Sequence, residues 1–356
     1  MLRYIAIRIV WIFIVLVTFL SLLFVVIRLV PEYPPTEVEA RQAYYERQVS
    51  DGYMTRTYID DPETVYLIRV GDFDACSKCF IRQVEGGYHY YEPVPVIKQY
   101  GVWIKNVVTK WNWGDSTRVR PNVDVFSVIR SRMGVTIRLN VLSLIVFMPI
   151  GFALGIFAAL RKNKLSDNII SIGVMVFISI PSFVTMFLLM LFFAYGLGWL
   201  NSQFPTADVV GIEAVKGYIL PVLALSFGPI AGLTRLTRAE LTEVLTSDFL
   251  LLARTKGLTR SQAVLRHALR NSMVPLVPSI IYSFVGLLSG SVVIEQIYGI
   301  PGMGSIYLQA MTQNNFDYNL ILAISFIYTI ISLFAVLLVD LAYGIVDPRI
   351  RMGARK

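Results

Sequence analysis

The sequence predicts an all-α polytopic membrane protein of six transmembrane helices, with a small mixed α/β extracytoplasmic domain between the first two. Three observations carry that prediction. Of 356 residues, 55% are hydrophobic and 16% charged, too apolar for an ordinary soluble domain. Six uncharged runs reach or approach the length needed to cross a bilayer. The basic residues sit in short clusters beside those runs, as topology signals do. The net charge of +8 is therefore read as topological, and no nucleic-acid recognition motif accompanies it. Two cysteines and two histidines are too few for a conventional four-ligand metal site in one chain.

Residues 1–31 are read as the first transmembrane helix. Ile9 to Ile27 is uncharged, with Arg3 and Arg8 before it and Arg28 after it. As a helix this run rises about 28 Å, close to the roughly 30 Å of a hydrocarbon core. A cleaved signal peptide would have a shorter apolar region and a small-x-small site, and none precedes Pro31.

Residues 32–133 form the extracytoplasmic domain and the segment before the second span, with acids and bases nearly balanced. Thr36-x-x-Glu39 opens a helix through about Val49. Thr64–Val70 reads as a strand. Phe80–Val84 and Tyr88–Tyr91 flank Glu85-Gly86-Gly87 as a hairpin. Cys76 and Cys79 lie beside these strands, where the compartment favours a disulfide. Two free thiols, or a metal or redox pair, are the alternatives, although His89 adds at most one ligand. Tyr100, Trp103, Trp111 and Trp113 suit an aromatic belt at the membrane interface.

Residues 134–356 are expected to form a five-helix core from Leu139–Leu160, Ile169–Thr206, Gly217–Thr234, Asn271–Ile294 and Tyr318–Val339. The second run is too long for one span, so its tail from Gly196 is placed at the surface. Gly217–Thr234 carries Pro221, Gly228 and Pro229, the mark of either a broken helix beside a cavity or a packing kink. Gly151-x-x-x-Gly155 and Gly286-x-x-x-Gly290 let helices approach closely. With both termini cytoplasmic, all four basic clusters fall inside: Arg3/Arg8, Arg161-Lys162-Lys164, Arg235 through Arg270, and Arg349 through Lys356.

Within that core, residues 247–271 read as a basic helical hairpin. Asp248 to Lys256 is a short helix N-capped by Ser247. Gly257 stands where a helix end needs positive φ. Thr259-x-x-Gln262 is a capping box for a second helix whose apolar positions are Leu258, Ala263, Leu265 and Leu269. Arg254, Lys256, Arg260, Arg266 and Arg270 supply the charge. Such a segment is either a solvated loop held inside by its charges or a docking element with a fixed surface.

Ala253-x-x-x-Gly257, followed by RHALRN and Pro275, resembles the cytoplasmic EAA loop of ABC importer permeases, most closely the oligopeptide/dipeptide/nickel branch; Leu251-Leu252-Ala253 stands where the general pattern has Glu-Ala-Ala. Glu295-Gln-Ile-Tyr-Gly-Ile-Pro301-Gly302-Met-Gly304 resembles the same family's outer-mouth turn. PVIKQYGVWIKNVVTKWNWGDST, from Pro95, looks like the segment before its second span. Asp340 and Asp347-Pro-Arg349-Ile-Arg351 match as well. The likeness runs from Pro95 onward and leaves out residues 32–92.

This resemblance implies the type I ABC importer permease fold and a transmembrane permease subunit of an ATP-driven importer for oligopeptides or dipeptides. The chain would form half of the translocation pathway in a bacterial or archaeal cell membrane. It implies a second homologous permease, two ATPase subunits and an extracytoplasmic substrate-binding protein, with Ala253, Lys256, Gly257, Leu258 and Thr259 at the ATPase contact. Mg-ATP would bind those ATPases and no cofactor this chain, which has no Gly-x-x-x-x-Gly-Lys-Ser/Thr loop. A nickel chelate or a sugar is the alternative cargo. Glu295, at the end of the fifth span, is either a functional carboxylate or an acceptor for the amides of the Pro301–Gly304 turn. An ion-coupled secondary transporter would need embedded acids or histidines, which the uncharged runs hardly supply. An intramembrane hydrolase would need an embedded base, and His89 and His267 fall outside the spans. No catalytic or substrate-binding residue is assigned.

Overall fold

The computed structural model describes residues 2–30, 34–35, 37–67, 78–206, 208–288, 292–312 and 316–346. The chain forms two compact units. One comprises Met1–Phe13, Ser131–Ile306 and Ile327–Lys356; the other comprises Ile14–Arg130 and Tyr307–Phe326.

Among the described residues, four helices are long and apolar enough to cross a membrane: Tyr4–Leu29, Val125–Leu160, Ile212–Leu245 and Tyr318–Ile345. A further crossing is available from Leu165–Ser179 and Ser182–Gly196, bent by 103° at a short break. The remaining expected span begins in the helix Leu269–Leu288 and runs into residues 289–291, which lie outside the described set together with Gly290.

The unit containing residues 14–130 begins within helix α1 (Leu2–Leu29), at Ile14, and continues to α2 (Val38–Ser50). The cap of α2 is Glu37; Thr36, expected to open it, lies outside the described residues. Strands β1 (Met54–Ile59), β2 (Phe80–Val84) and β3 (Gly87–Pro93) form an antiparallel sheet in the order β1-β3-β2. The expected hairpin is present, with Val84 opposite Gly87 and Gly86 at φ +82°, a backbone conformation that favours glycine. Strand β1 was not legible, because only its two end residues, Met54 and Ile59, are buried and no alternation marks it.

The strand expected at Thr64–Val70 is instead helix α3, Pro62–Leu67, with residues 68–70 outside the described set. Local capping overrides the β-branched pattern. The Asp61 carboxylate accepts from the Glu63 and Thr64 amides at 3.1 Å each, and Pro62 is preset for a first helical turn.

The tryptophans also depart from expectation. Trp103 and Trp113 are each only 2% exposed, whereas Trp111 is 62% exposed. Helix α4 (Val96–Lys110) turns Gln99, Trp103 and Val107, spaced at i, i+4 and i+8, into the interior. Trp103 packs on Phe24 at 5.1 Å and Trp113 on Phe326 at 4.4 Å, so these rings form a core and not a belt. Arg28, expected only to flank the first span, is buried over the rings of Tyr53 at 4.1 Å and Tyr318 at 4.8 Å.

Cys79 is buried, and the Tyr90 hydroxyl donates to its sulfur at 3.2 Å. Cys76 lies outside the described residues. A Cys76–Cys79 disulfide, as expected from the sequence, would close a very short loop and contribute about 2 kcal/mol. Its loss is therefore expected to leave transport intact. Mass spectrometry without reductant should recover one linked peptide, and two freely alkylated thiols would exclude the bond.

In the other unit, α5 (Val125–Leu160) crosses α8 (Ile212–Leu245) at the expected small residues. A Cβ on Gly151 would lie 3.0 Å from that of Leu233, and one on Gly155 only 2.5 Å from that of Thr237. Gly286 has open space around it. Helix α6 (Leu165–Ser179) stops at Ile180, whose ψ of 121° is the extended conformation favoured before a proline. Helix α7 (Ser182–Leu189) then runs into a π-helical turn, Met190–Gly196, and the chain is irregular from Gly198, close to the expected surface tail. Of the two readings of Pro221, Gly228 and Pro229, the broken helix does not occur: α8 runs through both prolines. The break falls at Pro181 instead.

Candidate functional site

The 247–271 hairpin folds as a helix, a glycine turn and a second helix. Helix α9 (Asp248–Thr255) follows Ser247, which occupies the cap position while its hydroxyl bonds back to the Val244 carbonyl at 2.5 Å. Two backbone bonds close the C-terminal end of α9: Gly257 N–H to Arg254 at 3.0 Å and Leu258 N–H to Ala253 at 3.4 Å. This is the Schellman pattern, and it requires the positive φ that Gly257 adopts, +94°. The motif's Ala253 and Gly257 are thus the two ends of one helix-stop device.

Thr259 then caps α10 (Arg260–Ala263) with the full capping box: Gln262 N–H to Thr259 Oγ1 at 3.4 Å and Thr259 N–H to Gln262 Oε1 at 3.1 Å. A π-helical turn, Val264–Ala268, leads into α11 (Leu269–Leu288).

The hairpin has two faces. Leu250, Ala263 and Ala268 are buried against Ala159 of α5 and Leu241 of α8, with Leu258 and Leu269 packed beside them. The other face carries Leu251, Leu252 and Leu265, exposed at 61%, 56% and 65%, among exposed Arg254, Lys256, Arg260 and Arg266. Of the apolar positions named for the second helix, Leu265 is exposed, and Val264 takes the inward place at 6% exposure, one α-helical turn before Ala268. Chemically, this outer face offers leucines ringed by cations on a segment too charged to lie in hydrocarbon, a surface suited to a protein groove with acidic edges.

The Pro301–Gly304 turn is built around Glu295 of α12 (Val292–Ile297), which is 3% exposed. Its Oε2 accepts from Ser305 N–H at 2.8 Å and its Oε1 from the Thr136 hydroxyl at 3.1 Å. Thr136 in turn accepts from Met303 N–H at 2.8 Å, at the start of α13 (Met303–Met311). The carboxylate thus serves the turn's amides, one of the two roles expected for it. Pro301 begins the turn, and Gly302 and Gly304 are dictated by space. A Cβ on Gly302 would fall 2.5 Å from the Glu295 carboxylate, and one on Gly304 would fall 2.9 Å from the Val292 Cα. Gly302→Ala is accordingly expected to destabilise the protein by about 1–3 kcal/mol. A thermal unfolding midpoint unchanged in detergent would contradict that.

One site residue escaped sequence reading. Asp317 is fully buried and caps α14 (Tyr318–Val346) through Leu320 N–H at 3.2 Å. Its Oδ2 accepts from the Ser116 hydroxyl at 2.6 Å and from the amides of Thr117, Arg118 and Val119 at 2.9, 3.0 and 3.3 Å. The Gly114-Asp115-Ser116 motif is therefore half of an internal anion nest. Gly114, at φ +84°, leaves room for Asn319, whose amide donates to the Asp115 carbonyl at 3.0 Å. A single aspartate has no sequence pattern, and its partners lie about two hundred positions earlier.

Asp340, matched in the sequence, pairs with Arg8 at 2.9 Å; Asp347, Arg349 and Arg351 lie outside the described residues. Among the described residues, no three histidine, cysteine or carboxylate side chains gather as metal ligands would.

The family model described as "Binding-protein-dependent transport system inner membrane component" matches residues 151–352. The chain is 36% identical over 258 residues to the dipeptide transport system permease protein DppB of Lactococcus lactis subsp. cremoris, covering 72% of this chain and 82% of that protein. It is 34% identical over 271 residues to DppB of Bacillus subtilis, covering 76% and 84%. It is 35% identical over 268 residues to the oligopeptide transport system permease protein OppB of Haemophilus influenzae, covering 75% and 84%.

Proposed function

From the premise that this chain belongs to the binding-protein-dependent transport system inner membrane components, we propose that it is the permease through which an ATP-driven importer admits dipeptides or oligopeptides. It is a multi-pass membrane subunit of a transporter complex and not itself an enzyme. In the proposal it supplies half of the pathway, a second homologous permease supplies the other half, and two ATPase subunits bind Mg-ATP below. An extracytoplasmic binding protein delivers the peptide. Peptide cargo is favoured over nickel chelates or sugars because the relatives above carry dipeptide and oligopeptide names.

The observation that carries the ATPase contact is the outer face of the hairpin. Leu251, Leu252 and Leu265 stand in solvent on a capped, rigid element. Exposed leucines beside several cations are stable in lipid only at a cost, and in water they invite a partner. Affinity purification of the tagged chain from its native membrane should bring down ATPase subunits and hydrolyse ATP. A chain that purifies alone, with transport driven by an ion gradient, would reject the proposal.

The proposed orientation places both termini and the hairpin in the cytoplasm and the β1–β3 domain outside. In a background with Cys76 and Cys79 replaced, Glu85→Cys should react with an impermeant thiol reagent in intact cells. Ser261→Cys should react only after permeabilisation, and the reverse pattern would invert the topology.

A further inference from the structure

Beyond the hairpin itself, an ion pair joins α8, one of the helices that the hairpin packs against, to α6. Asp167, in the first turn of α6, is fully buried. The Arg238 guanidinium of α8 grips it with a two-pronged fork, Nε to Oδ1 at 2.5 Å and Nη2 to Oδ2 at 2.7 Å. The Asn163 amide, from the turn before α6, adds a bond to Oδ2 at 2.9 Å. A forked arginine–carboxylate contact fixes direction as well as distance, and burial of the carboxylate shields it from salt. Arg238 lies three residues before Leu241, the α8 side chain buried against Leu250 and Ala263 of the hairpin. At its other end α6 meets the 103° bend into α7, whose Met186 packs with Ile294 and Tyr298 beside the Pro301–Gly304 turn.

We infer that Asp167 and Arg238 are positioning residues for transport: they bind α6 to α8, so that a displacement of the hairpin moves both helices as one body and reaches the bend at Pro181. An apolar contact between α6 and α8, such as the stacked rings of Phe177 and Phe227 at 4.8 Å, is non-directional and does not fix one helix to the other in this way. This inference rests on the coupling role proposed above for the hairpin.

The test uses the complete complex reconstituted in vesicles with its binding protein. The readout is the ratio of ATP hydrolysis with and without a defined pool of tripeptides. Arg238→Gln should assemble with its ATPases and keep basal hydrolysis, but lose about tenfold of the peptide-stimulated component. Arg238→Lys, which keeps the charge and loses the fork, should fall between. The exchanged pair Asp167→Arg with Arg238→Asp should regain several-fold over Arg238→Gln, a rescue that general destabilisation would not give.

A second arm does not depend on the fold surviving a lost ion pair. Phe177→Cys and Phe227→Cys, with Cys76 and Cys79 replaced by serine, are bridged by a short bis-thiol reagent. If α6 and α8 move together, the bridge leaves stimulated hydrolysis and uptake within about twofold of the unbridged protein. Stimulation retained in Arg238→Gln, or uptake abolished by the bridge, overturns the inference. Where Arg238→Gln does not assemble, the bridge alone decides. A wild-type complex without peptide-stimulated hydrolysis would instead remove the coupling role beneath it.

Discussion

Gly257→Val is expected to leave the membrane helices and the β1–β3 domain folded while lowering ATPase association or peptide-stimulated hydrolysis by about tenfold or more. Space is not the cause, since a Cβ at this glycine meets nothing within 4 Å. The cause is the backbone. At φ +94° an L-residue is strained by roughly 1–2 kcal/mol, and a β-branched one by more. Relief requires turning the peptide units that place Gly257 N–H on Arg254 and Leu258 N–H on Ala253. The second helix would then swing relative to the first, and the exposed Leu265 would shift relative to Leu251 and Leu252. A loss of about 1.4 kcal/mol from docking is a tenfold loss in affinity. Glu39→Ala, on the exposed side of α2, is the matched control and should do neither. A purified Gly257→Val complex with full ATPase content and normal stimulation would refute the assignment of this hairpin as the transmitting contact.

Asp317→Asn should be the most destabilising of the conservative changes. The carboxylate answers the Ser116 hydroxyl, the amides of Thr117, Arg118 and Val119, and the amide of Leu320. An asparagine offers one oxygen to these donors and turns an NH2 group against the rest. Hydrogen bonds to a charged acceptor are worth about 1.5–3 kcal/mol, and a buried donor left unpaired costs about 1–3 kcal/mol. A net loss on the order of 3 kcal/mol follows, visible as a fall of several degrees in the unfolding midpoint of the detergent-purified protein. A midpoint within a degree of the parent would show the nest to be dispensable.

Legibility in the sequence followed the range of the interaction. The first, second and last spans were readable because apolar length is a local property. The capping box at Thr259 and the helix stop at Gly257 were readable for the same reason. The carboxylate of Glu295 could be placed on the turn because its amides lie within ten residues. What failed depended on counting or on distance. Pro221 and Pro229 left a broken helix and a packing kink equally open, because neighbouring helices decide between them, and the break at Pro181 had no separate signal. Leu265 is apolar in sequence yet exposed, because the inward face of that helix runs through Ala263, Val264 and Ala268. Trp103 and Trp113 carry the same letters in a core as in an interface belt, and only the face of α4 decides.

The Asp317 nest also sets an order of events during synthesis. Its two halves are 201 residues apart, and several membrane helices are made between them. At roughly 5–20 residues per second, the amides of Thr117, Arg118 and Val119 wait about 10–40 s for their acceptor to leave the ribosome. During that interval the segment carrying Trp113 lacks both Asn319 and the Phe326 ring that covers it. A chain stalled or truncated before Asp317 therefore exposes an unclosed loop and a bare indole to membrane quality-control proteases. Completion of the last helix is the event that hides them, which makes this aspartate a marker of a finished subunit as well as a structural anchor.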